Sequence, residues 1–140
     1  MVLNILLREC HGYNLCSLKP WDDAPIVAIP AARGEESYDH DAAPAPKFRR
    51  LGAKNITVLH TYYPEVAGTD EFAGPLIGAK GVWFGGDRQW RLADAYVGTP
   101  SEKLFWEVLK RDGVIGETSA GASIQGSFLA RGDTGTTGSW

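Results

Sequence analysis

The chain has 140 residues, 44% of them apolar and 22% charged, with a formal net charge of -3. That is enough chain to bury a core, in the composition of an ordinary soluble globular protein. The charge excludes a general nucleic-acid binder, whose surface carries clustered basic residues, and no apolar run reaches the roughly 18 residues that a membrane span needs. The one basic cluster, Lys47, Arg49 and Arg50, reads as the solvated face of a helix.

The amino-terminal residues Met1 to Leu7 are apolar but stop at Arg8 and Glu9. A secretory signal has a basic start followed by roughly 7–15 apolar residues, so the match is poor. With no targeting segment the default compartment is the cytoplasm, and secretion stays open if the amino terminus is incomplete. Cys10 and Cys16, even with His11, fall short of the four ligands of a structural zinc. They read as incidental thiols, and neither a metal nor another cofactor is expected.

From Pro25 onward, short apolar runs alternate with helical stretches. Residues 26–29, 56–60, 82–84 and a run opening at Val114 and Ile115 lack alternation, as strands covered on both faces do. Helices are expected over 70–79, with Pro75 counting against its middle, through 47–51, and from Ala120 to about Leu129. The best-defined helix spans Pro100 to Asp112. Thr99 is its N-cap, Glu102 completes a capping box, and Leu104, Phe105, Val108 and Leu109 form its apolar stripe. Gly113 is placed to end it. Strand and helix in this order predict an α/β fold with a parallel sheet and right-handed crossovers, in one domain over 1–140. The ends, 1–23 and the Gly- and Thr-rich 132–140, carry no clear period.

Two segments carry chemistry. In the first, a buried strand from Val114 runs into Thr118, Ser119, Ala120 and Gly121, and a helix follows. A sharp strand-to-helix corner exposes its central hydroxyl beside the unpaired N–H groups of a helix start, as an acyl-transfer nucleophile requires. Small residues at 120–122 suit so tight a turn. The same pattern also suits a helix start that holds a phosphate or carboxylate without catalysis. The second segment runs from Gly81 to Arg91. Gly85 and Gly86 end a strand on the edge where parallel sheets bind ligands. Gly86 could supply an oxyanion N–H opposite that of Ala120, with Gln89 and Arg91 in reach of the same crevice for substrate binding.

These two segments, about thirty residues apart, resemble the core of the cyanophycinases and their relatives, the aspartyl dipeptidases. Ile29 to Ala32 and Asn55 to Leu59 are similar to that family's earlier strands, and the likeness covers about 25–133. The resemblance implies a flavodoxin-like sheet related to class I glutamine amidotransferases. It also implies a serine nucleophile at Ser119 and hydrolysis of aspartyl or β-aspartyl peptides, with Gln89 lining the substrate site. The expected partner is therefore an aspartyl-linked peptide; a homo-oligomer is compatible with the sequence.

Against the family pattern, Glu117 stands in place of the first glycine of Gly-Thr/Ser-Ser-Ala-Gly, and Asp87 in place of a further glycine. Both changes set acid beside the expected oxyanion hole. The family's histidine follows its serine, whereas His11, His40 and His60 all precede Ser119. His60 alone is placed toward the carboxyl edge of the sheet, where it reads more simply as a polar strand end than as a base. The expectation is a fragment or decayed homologue holding the middle of the fold, impaired as an enzyme. The alternative is a non-catalytic α/β module binding its ligand at the helix start at Ala120.

Overall fold

The computed structural model describes residues 23–124. The strands β1 (Ile26–Ile29), β2 (Ile56–Val58), β3 (Gly81–Phe84) and β4 (Val114–Glu117) form a sheet in the order β2-β1-β3-β4. Every pairing is parallel, with Ile26 opposite both Ile56 and Gly81, and Gly81 opposite Val114. The chain moves outward from β1 to β2, then crosses back over β1 to reach β3. Its direction therefore reverses between β1 and β3, in the flavodoxin-like manner, and the crevice beyond the carboxyl ends there is where such sheets bind ligands.

Six helices accompany the described strands: α1 (Ala45–Arg50), α2 (Pro64–Ala67), α3 (Asp70–Ile77), α4 (Gln89–Tyr96), α5 (Pro100–Lys110) and α6 (Ala120–Ile124). A single 3-10 turn covers Ala31–Arg33. Because successive strand residues point to opposite faces, the core divides in two. Val27, Ile29, Val82, Phe84 and Ile115 face Leu76 of α3, Leu92 and Tyr96 of α4, and Phe105 and Val108 of α5. On the other face Ile26 and Trp83 pack with Phe48 of α1 and Ala53. The thicker layer, which carries the sheet's larger core, is the one that positions the site.

The expected strands and helices are present, with shifted bounds. The second strand ends at Val58, which leaves His60 beyond it. Helix α3 runs through Pro75 to Ile77; the proline forfeits one hydrogen bond in a helix that ends two residues later. Helix α5 is capped as its sequence suggests, Thr99 Oγ1 accepting from Glu102 N at 3.4 Å. The Glu102 carboxylate, however, accepts from Gly98 N at 2.7 Å rather than from the cap residue itself. Helix α5 also stops earlier than expected, at Lys110, and the left-handed residue after it is Asp112, with φ 61°, rather than Gly113. Gly113 is needed for space: a Cβ there would lie 2.6 Å from both the Cγ1 and the carbonyl oxygen of Val108. The end of α5 is tied to the end of α3 by Arg111, which donates to the carbonyls of Leu76 at 2.6 Å and Ala79 at 3.0 Å. The thiols, the expected continuation of the last helix to about Leu129 and the 132–140 tail lie outside the described residues.

Candidate active site

The corner after β4 depends on what cannot fit there. Glu117 is the last strand residue, paired with Phe84, and α6 begins at Ala120. Ser119 lies between them with φ 52°, in the left-handed region. For a residue with a Cβ that conformation costs energy and persists only where the surroundings enforce it. Several contacts enforce it. Thr118 N donates to Phe84 O at 3.2 Å, and Ala122 N and Ser123 N donate to Ser119 O at 2.9 and 3.2 Å. Ser119 is exposed, while Ala120 is buried at 3%.

Two glycines close the corner. Gly121 lies so near β3 that a Cβ would stand 2.6 Å from Phe84 O, 2.8 Å from Phe84 Cβ and 2.9 Å from Glu117 Cβ. Gly86, just past β3, lies against the serine: a Cβ there would come within 3.0 Å of Ser119 Cβ and of Thr118 O. The structure thus brings Ser119, Ala120 and Gly86 together at the ends of neighbouring strands. The first N–H groups of a helix have no intrahelical acceptor, so the N–H of Ala120 is a donor beside that hydroxyl.

Glu117 does not prevent the turn, contrary to the expectation from the missing glycine. Residue 117 is still extended strand, and its Cβ has room because residue 121 has none. The tightness falls on residues 118–121 instead. Its side chain is buried, with 8% exposure, on the face of the sheet that carries Ile115 and Phe84. Asp87 is strained: its φ is 131°, a conformation suited to glycine. Its carboxylate is half-exposed and stands 3.8 Å from Arg88 Nε. Asp87→Gly should therefore stabilise the fold by about 1 kcal/mol through relief of this strain, measurable as a raised midpoint in urea. An unchanged or lowered midpoint would mean that the backbone at 87 is not strained.

The remaining candidates are spread along the carboxyl edge. Gln89 is buried in the first turn of α4, with 8% exposure. Arg91 is half-buried; it donates to Ala32 O at 3.0 Å, and its guanidinium lies 5.1 Å from the Trp90 ring centre. Its charge is thus held at the β1 end of the crevice, against Gly34, whose φ of 91° and missing Cβ leave room for the guanidinium. His60 lies beyond β2, three strand spacings from β4, or about 14 Å at the usual spacing of about 4.8 Å. From there it cannot take a proton from Ser119. It is packed between Tyr38 and Tyr62 instead, with ring centres 4.6 and 4.5 Å away. His40 is on the exposed loop before α1, beside Asp41, and His11 lies outside the described residues. Among the described residues, no group of three His, Cys, Asp or Glu side chains could hold a metal ion.

The parallel sheet with its flanking helices is a flavodoxin-like α/β fold, and a left-handed serine stands at the strand-to-helix corner after β4. Comparison with solved structures gives the same class: the chain is similar to a peptidase from an acI-B1 Actinobacterium, with a TM-score of 0.60 and 25% sequence identity. The likeness covers 81% of this chain and 50% of that one, so the chain spans half the length of the peptidase it matches. No protein-family model and no curated protein matches the sequence.

Proposed function

We propose that this chain carries the nucleophile and oxyanion portion of a serine peptidase site acting on aspartyl or β-aspartyl peptides. Ser119 Oγ attacks the peptide carbonyl, and the N–H groups of Ala120 and Gly86 receive the negative charge that forms on its oxygen. The Oγ–C bond forms, the C–N bond breaks and the leaving amine takes a proton. Water then hydrolyses the seryl ester, which regenerates the hydroxyl. Gln89, in the first turn of the helix after Gly86, and Arg91, with its fixed positive charge, bind the substrate. In this reading the general base comes from outside residues 23–124, since neither described histidine reaches Ser119.

The observation that carries the proposal is the left-handed backbone of Ser119 with Gly86 pressed against it. A helix start that merely cradles an anion needs no strained residue with a side chain at its corner, so the strain favours a reactive hydroxyl over the binding module. The aspartyl preference rests on the likeness of the Gly81–Gln89 and Thr118–Ser123 segments to the cyanophycinases. The test is turnover of activated esters of aspartate and of leucine, set beside calorimetry with nucleotides and inorganic phosphate. Faster release from the aspartyl ester, with no nucleotide or phosphate affinity, supports the proposal. Phosphate or nucleotide binding without ester turnover would replace it with the module.

A further inference from the structure

The second cluster on the carboxyl edge is built around His60. Tyr38 comes from the loop of residues 34–44, between the 3-10 turn and α1, and Tyr62 follows β2. Both meet the imidazole edge to face, at interplanar angles of 75° and 86°. The loop's own fastenings are few. Tyr38 Oη accepts from Glu35 N at 3.2 Å, and Arg49 of α1 ion-pairs with Asp41 and donates to His40 O at 2.9 Å. The stretch from Glu35 to Asp39 meets the end of β2 through the Tyr38 ring and through the Glu36 carbonyl, both against the imidazole.

We infer that the Tyr38–His60–Tyr62 stack is a pH-sensitive clamp, which holds the loop of residues 34–44 against the end of β2 and releases it when the imidazole is protonated.

The packing suits a neutral ring. His60 Nδ1 is buried and, among the described residues, has no hydrogen-bond partner, while the carbonyl of Glu36 in the loop faces the imidazole. A tautomer with its proton on Nε2 meets both conditions. A second proton would put an N–H on Nδ1 with no acceptor, which is costly for a buried donor. Charged and titratable neighbours act from each side. From the loop, the Glu36 carbonyl and then the Glu35 carboxylate favour the imidazolium; from the β2 end, Tyr62 offers only a phenol, itself pushed up to about 12, chiefly by burial. From α4, Arg91 adds positive charge near Tyr62. Burial outweighs the favourable contributions and lowers the His60 pKa from its ordinary value.

The sign follows from linkage. The packed imidazole binds its proton less tightly than the released one, whose pKa is about 6.5. The clamp is therefore at full strength above that value and weakens as pH falls below it. Release would also free Gly34, against which the Arg91 guanidinium rests, so the β1 end of the crevice would loosen with the loop. The inference does not depend on Ser119 being a nucleophile.

The test is an NMR titration of the full chain and of His60→Phe, which keeps an aromatic ring but cannot be protonated. In the wild type, the Tyr38 ring signals should move toward free-tyrosine positions as pH falls from 8 to 5. The His60 ring should titrate with a midpoint below 6.5 over the same range. In His60→Phe the Tyr38 signals should stay in place. Tyr38 signals that ignore pH in the wild type, or that move equally in the variant, would overturn the inference. Should His60→Phe fail to fold, the wild-type midpoint decides: a value at or above 6.5 would overturn it as well.

Discussion

Added imidazole is expected to accelerate hydrolysis of an activated aspartyl ester by this chain on the order of tenfold, and Ser119→Ala to abolish that acceleration. Ser119 has the corner, the adjacent donor at Ala120 and the close approach of Gly86, but His60 is three strands away. A positioned base contributes about 10²–10⁴-fold, and a small diffusible base at high concentration can recover part of that only where a hydroxyl already faces oxyanion donors. Imidazole also hydrolyses activated esters in solution, so the Ser119→Ala protein supplies the background. Equal acceleration in both proteins would place the chemistry elsewhere.

The largest effect on folding is expected at Gly121. A methyl group there would lie 2.6 Å from Phe84 O and within 2.9 Å of two Cβ atoms. Two of these neighbours are on β3 and the third is on β4, so relief requires α6 to lift off the sheet or the strands to part. Overpacking of a tight core costs about 1–3 kcal/mol, occasionally more, and contacts with backbone put Gly121→Ala at the upper end. The expected result is a urea midpoint lowered by several tenths of a molar or more, together with loss of imidazole-dependent turnover. A variant with wild-type stability and turnover would show that the close packing of α6 on Phe84 does not set the corner.

The sequence made the fold legible where physical signals were local. The unbroken apolar runs at Ile26–Ile29 and Gly81–Phe84 stand in the middle of the sheet and are buried on both faces, which is why they lack alternation. The capping residues of α5 announce its start. Helix α2, at four residues, is too short to show a period. Helix α4 is masked in the sequence by the glycine turn that precedes it, although Leu92, Ala95 and Tyr96 have helical spacing and are all buried.

At the site, the corner was legible from small residues after a buried strand, and so was the placing of a glycine opposite the serine. The consequence of Glu117 was not legible. Its accommodation depends on the missing Cβ of Gly121, a relation between strand and helix that spacing along the chain does not display. The isolation of His60 was equally hidden, because it follows from strand order: a sheet ordered β2-β1-β3-β4 puts the end of β2 as far from β4 as the described strands allow. The Tyr38 partnership is likewise a long-range contact, made by a loop with no period of its own.

The most direct test of the central claim is to treat the folded chain with a fluorophosphonate and locate the adduct by peptide mass spectrometry. An adduct is expected on Ser119, formed faster than on the exposed Ser123 four residues later and lost when the protein is unfolded in urea before treatment. Absence of that adduct in a folded sample, or labelling of Ser119 and Ser123 at equal rates, would contradict that claim.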